Sequence, residues 1–255
     1  MQMEKLLGLP VTASENGVGT DRLIVYIHYL MFALFVGWLI YYLFSLWRFS
    51  AARNPKANYQ GVTSHASNYL EITVAGIEAI LLIFVAIPLW ARHVDKFPEA
   101  KDSTVVQVVA QQFAWNFRYA GADGELGRQD MKLVSADNTF GVDPTDEAGK
   151  DDIVTLNELH VPVGKPVICY ISSKDVIHSF RLITMRVTQD AIPGMRIPIH
   201  FLPKETGVSQ IYCAQLCGNG HAAMNGGRLV VDTPEDYAKW YAAKARAAGP
   251  PVSFE

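Results

Sequence analysis

The sequence predicts an N-terminal two-helix transmembrane hairpin followed by an all-β sandwich with a C-terminal helix. Three observations carry this. Two long apolar runs lie near the start of a 255-residue chain that is 50% hydrophobic and only 18% charged. After about Ser103 the texture changes to short β-branched and aromatic segments punctuated by Gly, Pro, Asp and Asn. Near the end, Thr233-Pro-Glu-Asp reads as an N-cap, a proline at the first helical position and acids in the first turn.

Residues 1–22 are polar and Gly-containing and read as an exposed N-terminal arm. Residues 23–93 form the hairpin. Its first run, 23–47, has no Lys, Arg, Asp or Glu, and its second, 70–90, carries only Glu71 and Glu78. Each is long enough to cross roughly 30 Å of hydrocarbon as a helix. The connecting loop holds Arg48, Arg53 and Lys56 and no acid, which places it in the cytoplasm by the positive-inside rule, with both termini outside. Tyr41, Tyr42 and Trp47 suit the aromatic belt at that end. No cleavable signal is read at the N-terminus.

Residues 94–255 make the outer domain. Strand candidates are 104–119, 167–171, 210–212 and 227–231, which suggests an antiparallel sandwich or barrel. A helix follows Thr233 to about Ala248, stopped by Gly249-Pro-Pro. Segment 121–158 holds ten acids against Arg128, Lys132 and Lys150. It reads either as a docking surface for a basic partner or, more commonly for such runs, as a solvated connection. The net charge of −3 says little about fold, and no basic stripe suggests a nucleic-acid surface.

The chemistry is concentrated in Cys213-Ala-Gln-Leu-Cys217-Gly-Asn-Gly-His221-Ala-Ala-Met224. A second imidazole, His178, lies upstream in Val-Ile-His-Ser-Phe. Three metal readings and one disulfide reading compete. A structural zinc would take two Cys and two His and leave Met224 idle. A single blue copper needs one thiolate, two His and a weak axial Met, so one Cys is surplus. A binuclear copper uses every donor: two bridging thiolates, one His per copper, Met224 as a weak ligand to one and the Gln215 carbonyl to the other. Alternatively Cys213 and Cys217 bond each other. Cys169, in an apolar alternating run, reads as a buried strand cysteine without a role.

These residues resemble subunit II of haem-copper cytochrome c oxidases, bacterial type, over nearly the whole chain. Ser172-Ser-Lys-Asp-Val-Ile-His178-Ser-Phe is similar to the family's first-histidine motif. Gln189-Asp-Ala-Ile-Pro-Gly-Met195 is similar to its Asp-Ala-Ile-Pro-Gly segment, and Leu159-His-Val-Pro-Val-Gly-Lys-Pro166 to the strand before it. The run 213–224 follows the family's copper loop. The resemblance implies a Greek-key cupredoxin domain on the periplasmic side of a bacterial inner membrane. It implies a binuclear CuA centre held by His178, Cys213, Gln215, Cys217, His221 and Met224. Cytochrome c, or another c-type cytochrome domain, would donate electrons. Subunit I, with the haems and CuB, would reduce oxygen to water and pump protons alongside the other oxidase subunits.

Four positions depart from the family. Gln215 stands where the family has Glu, so the magnesium at the subunit I boundary loses its carboxylate, and a neutral amide is a weaker ligand for a hard cation. Phe113, followed by Ala114, replaces the exposed Trp that takes up electrons, while Trp115 is retained. Arg118 replaces a nearby acid; with Phe113, this argues for a different docking face or donor. Glu78 replaces a Pro, whereas Glu71 matches the family's Glu near a proton path. Glu78 follows Glu71 by seven residues and faces subunit I rather than lipid. Three further readings stand beside the oxidase: the CuA subunit of a nitric oxide reductase, a copper-free quinol oxidase subunit, and a membrane-anchored copper store.

Overall fold

The computed structural model describes residues 2–56, 59–61 and 63–248. It divides into two compact units, Met1–Leu9 with Gly19–Arg92, and Pro10–Val18 with His93–Glu255.

The first unit is helical. A short α1 (Gln2–Leu6) precedes α2 (Glu15–Arg48). After the loop come α3 (Ala66–Leu81), a π-helical turn (Leu82–Ala86) and α4 (Ile87–Val94), which run on as one rod. The two rods are 34 and 29 residues long, and the most apolar stretch of each is unburied. Phe35 and Phe84 are 65% and 70% exposed, so these are not core helices of a soluble domain; they are apolar all round, as lipid requires. They run antiparallel: Gly19 meets Leu89 at one end, while Gly37 and Trp38 share a cleft with Leu70 and Val74 at the other. Pro88 explains the π turn. It lacks an N–H and its ring crowds the carbonyl four residues back, so the helix widens just before it.

The second unit is a sandwich of two five-stranded sheets, ordered β3-β2-β1-β5-β8 and β4-β10-β9-β6-β7. The strands are β1 (Thr104–Gln111), β2 (Ala114–Tyr119), β3 (Ile153–Leu156), β4 (Glu158–Pro162), β5 (Val167–Ser173), β6 (His178–Leu182), β7 (Val187–Ala191), β8 (Ile197–Phe201), β9 (Gly207–Cys213) and β10 (Gly227–Asp232). The β1/β5 and β4/β10 pairs are parallel and the others antiparallel. Parallel neighbours need crossovers between sheets, and these give the Greek-key wrap of a cupredoxin. Period-two alternation turns Val106, Val108, Phe117, Leu159, Ile171, Phe180, Leu182, Ile211 and Leu229 inward, each fully buried. Trp115 and Phe117 meet Phe180 edge-on, at centroid distances of 5.2 and 6.3 Å.

α5 (Pro234–Ala248) forms as its cap signature predicts. Thr233 Oγ1 accepts the Asp236 amide at 3.2 Å and donates to the Asp236 carboxylate at 2.8 Å. The expected stop at Gly249 lies outside the described residues. Trp240 of α5 stacks on His160 at 4.3 Å, and the Tyr241 hydroxyl bonds the Ala120 and Gly121 carbonyls.

Two expectations need correction. Part of the segment before the first span is not an exposed arm. Residues 10–18 belong to the sandwich unit as a strap. The Ala13 amide donates to the Thr184 carbonyl, the Lys204 amide to the Ala13 carbonyl, and the Glu15 amide to the Leu202 carbonyl. Ser14, 2% exposed, donates its hydroxyl to the Met185 carbonyl and accepts the Gly17 amide at 3.0 Å. It therefore N-caps α2, which starts at Glu15 rather than at 23. The second correction concerns Arg118, which is fully buried and so cannot alter a docking face. It pairs with Asp152 and bonds Gln107 Oε1 and the Gly127 carbonyl, tying both ends of the acidic segment to the sheet. A charge removed from water persists only when paired and hydrogen-bonded, which this network supplies.

Candidate metal centre

β6 and β9 are adjacent antiparallel strands, with Phe180 opposite Cys213. That pairing sets His178, at the start of β6, beside Cys213, at the end of β9. The loop after β9 then turns back, and a short 3-10 segment (His221–Gly226) brings His221 to the Cys217 sulfur, with Met224 buried on the same segment. Cys213, Cys217, His178 and Met224 are all buried, His221 is half-buried, and Gln215 and Leu216 point to solvent.

The sulfurs of Cys213 and Cys217 are 3.9 Å apart. A disulfide needs about 2.05 Å, and all three cysteines are free thiols. Each sulfur has its own imidazole: Cys213 Sγ lies 4.0 Å from His178 Nδ1 and Cys217 Sγ 3.4 Å from His221 Nδ1. The Gln215 carbonyl lies 3.1 Å from Cys213 Sγ. Donor atoms of His178, Cys213 and Cys217 fall within 4.8 Å of one another. Metal–thiolate bonds are about 2.3 Å, so an ion bonded to both sulfurs spans their separation. The donors therefore fit soft metal, and two matched Cys–His pairs fit two ions sharing the thiolates.

Burial, then the neighbouring Cys213 sulfur, pushes the Cys217 thiol up to about 11. Burial alone pushes Cys169 to about 12; it sits in β5, sealed in the core.

The sequence reading gave no role to Asp175 and Gln112, which help hold this cluster, and gave Phe113 and Trp115 a different one. His178 Nε2 lies 2.8 Å from Asp175 Oδ1, which directs Nδ1 toward the thiols. Burial raises the Asp175 carboxyl, but bonds from the Gln112 amide, His178 and the Val176 amide outweigh it and hold the group below the usual carboxylate range. The three-residue spacing of Asp175 and His178 was the available signal. Gln112 reaches the Cys217 carbonyl through its side chain at 2.6 Å. Trp115, fully buried, donates its indole N–H to the Met224 carbonyl at 3.0 Å and lies edge-on to His178. Phe113, half-buried, packs against the loop: a Cβ on Gly220 would lie 2.4 Å from its ring, and one on Gly218 3.1 Å. Gly218 also holds a φ of +137°, which glycine tolerates and larger residues rarely do. Glu71 and Glu78 lie on α3, exposed, in the helical unit.

The fold is that of a cupredoxin domain joined to a pair of apolar helices. Residues 104–232 match the family described as cytochrome C oxidase subunit II, periplasmic domain. The chain is 31% identical to the alternative cytochrome c oxidase subunit 2 of Bradyrhizobium diazoefficiens, over 85% of this chain and 76% of that one. It is 30% identical to cytochrome c oxidase subunit 2 of Cereibacter sphaeroides, over 81% and 69%. The crystal structure of the periplasmic domain of subunit II of cytochrome oxidase of Bradyrhizobium japonicum aligns with a TM-score of 0.44 and 25% identity, over 60% of this chain and 100% of that one. The chain belongs to the cytochrome c oxidase subunit II family, and its relatives are components of haem-copper oxidases.

Proposed function

We propose that this chain takes electrons from a c-type cytochrome and passes them to the haem-bearing subunit I, where oxygen is reduced to water and protons are pumped. The observation that carries this is the pair of Cys–His contacts around two sulfurs 3.9 Å apart. His178, Cys213, the Gln215 carbonyl, Cys217, His221 and Met224 would hold a binuclear copper centre. Such a centre accepts and releases one electron with little rearrangement.

The chain's own residues supply rigidity and insulation. Asp175 fixes the ring of His178, Trp115 fixes the Met224 carbonyl, and Gln112 fixes the carbonyl of Cys217. Phe113, resting on the metal loop, is the aromatic nearest a donor's approach, with Trp115 behind it. Gln215 and Leu216 present the loop's outer face to subunit I, and the neutral amide of Gln215 gives magnesium no carboxylate there.

The hairpin anchors the domain on the outer face of a bacterial inner membrane. The strap supports this topology, because residues 10–18 and the sandwich form one unit and must leave the bilayer on the same side. Arg48, Arg53 and Lys56 then lie inside. Glu71, at that inner end, receives protons for subunit I, and Glu78, two turns deeper, faces the same neighbour.

The test is to load the full chain in detergent with copper, count metal per chain and record the paramagnetic spectrum. Two coppers sharing one unpaired electron are expected. One copper per chain, or a zinc that copper does not displace, overturns the proposal.

A further inference from the structure

The acidic segment encloses a cleft that its charge does not enter. Gln129, Met131, Val134, Thr139 and Phe140 of that segment face the outer surface of β1 and β5 across a cavity of about 280 Å³. The floor is Gln107, Val109 and Tyr170, and the rim is completed by Lys174 and Met195-Arg196. The segment carries ten acids, yet among the described residues no carboxylate lines the cleft. Two cations do. Lys174 Nζ donates to the Ser135 carbonyl at 2.6 Å, and the Arg196 guanidinium stacks on the Tyr170 ring at 3.8 Å. Neither pairs with a carboxylate among the described residues.

The amide groups inside are fixed. Gln107 accepts from buried Arg118 and donates to Gln129 Oε1, and Gln129 donates to the Phe140 carbonyl. Val109, Val134, Phe140 and the two methionines make the remaining wall apolar. Cations pre-positioned against an apolar wall recognise an anionic head on a small apolar body. Stacking on Tyr170 also leaves the edges of the Arg196 guanidinium, where its donors lie, available for a carboxylate.

We propose that this cleft, walled by the acidic segment, binds a small organic anion, a carboxylate or phosphate on an apolar ring or short chain, between Arg196 and Lys174. The proposal is independent of the copper reading.

The probes are 4-fluorobenzoate and its uncharged isostere 4-fluorobenzamide, titrated by fluorine NMR against the full chain and against the assembled oxidase. Saturable binding of the benzoate is expected in both, with the benzamide weaker by on the order of ten-fold. Arg196→Gln alone, an exposed position that the fold does not depend on, should remove most of that preference, and Arg196→Gln with Lys174→Gln should abolish it. Equal binding of the two probes, an unchanged preference in either variant, or no saturation overturns the proposal. So does binding to the isolated chain but not to the oxidase, which would show that a neighbouring subunit fills the cleft.

Discussion

Asp175 and His178 are bound to each other through the ring nitrogen that faces away from the thiols, at 2.8 Å. A carboxylate on that nitrogen fixes both the tautomer and the orientation of the ring. Asp175→Ala is expected to lower copper retention against a competing chelator by roughly ten- to a hundred-fold. Asp175→Asn, which keeps a hydrogen-bonding group but not the charge, should fall in between. If both variants hold copper as tightly as the parent, the ring is fixed by packing alone.

The three cysteines should separate in a substitution series. Cys213→Ser and Cys217→Ser each remove a thiolate and are expected to abolish or convert the copper spectrum. Cys169→Ser should leave the spectrum intact while costing about 1–3 kcal/mol of stability, the usual result of placing a hydroxyl in an apolar core. Alkylation of the folded, copper-free chain at mild pH should also spare Cys169, whose thiol is held at about 12 and is fully buried. Mass spectrometry of the labelled peptides reads this directly.

Arg118→Met leaves Asp152 buried without its partner and should cost about 3–5 kcal/mol near neutral pH, by thermal or denaturant unfolding. The pH dependence has a definite sign. Burial raises the Asp152 carboxyl, and Arg118 opposes that rise. Without the arginine the folded-state value climbs further above the unfolded one. A carboxyl raised in this way binds its proton more readily in the folded state, so stability falls as pH rises through that window. The deficit of the variant should therefore shrink at acidic pH, where Asp152 is protonated. A deficit that grows on acidification would contradict this.

Gly220→Ala drives a methyl group into the Phe113 ring, 2.4 Å from its nearest carbon. Loop or ring must shift, so copper should be lost faster and the visible spectrum altered. Adding Phe113→Ala to Gly220→Ala should restore the spectrum in part. An unperturbed spectrum in the single variant would mean that the ring moves aside freely.

Ser14→Ala removes both the N-cap of α2 and the bond to the Met185 carbonyl. The expected cost is about 1–2 kcal/mol, with faster amide exchange in the turn between β6 and β7. Exchange unchanged at residues 183–186 would show that the strap adds nothing to that turn.

Much of this was written in local pattern. Hydropathy marks both spans because lipid imposes an apolar surface all round. Alternation marks the strands, Thr233-Pro-Glu-Asp marks α5, and the spacing of soft donors marks the loop that the fold brings to His178. What local pattern cannot supply is pairing across distance. Ser14 reads as one more polar residue until it meets Met185, 171 positions away. Arg118 reads as a surface charge because charge usually is one, and only Asp152 and the Gly127 carbonyl make its burial tolerable. Phe113, read as a departure at a docking position, turns out to be matched by two glycines in the loop beneath it. The acidic segment read as solvated connection, yet its uncharged side chains build a cleft.

The strap also has a consequence in time. Residues 10–18 are made before both spans, and the turns that receive them, around 184–186 and 202–204, follow some 170 residues later. The turn between β6 and β7 cannot be clamped until then, and β6 carries His178. The domain is therefore clamped by a piece made well before the turns it holds. The proposed ligand set is complete only after Met224 has emerged, and copper added before that point would meet an unfinished receptor.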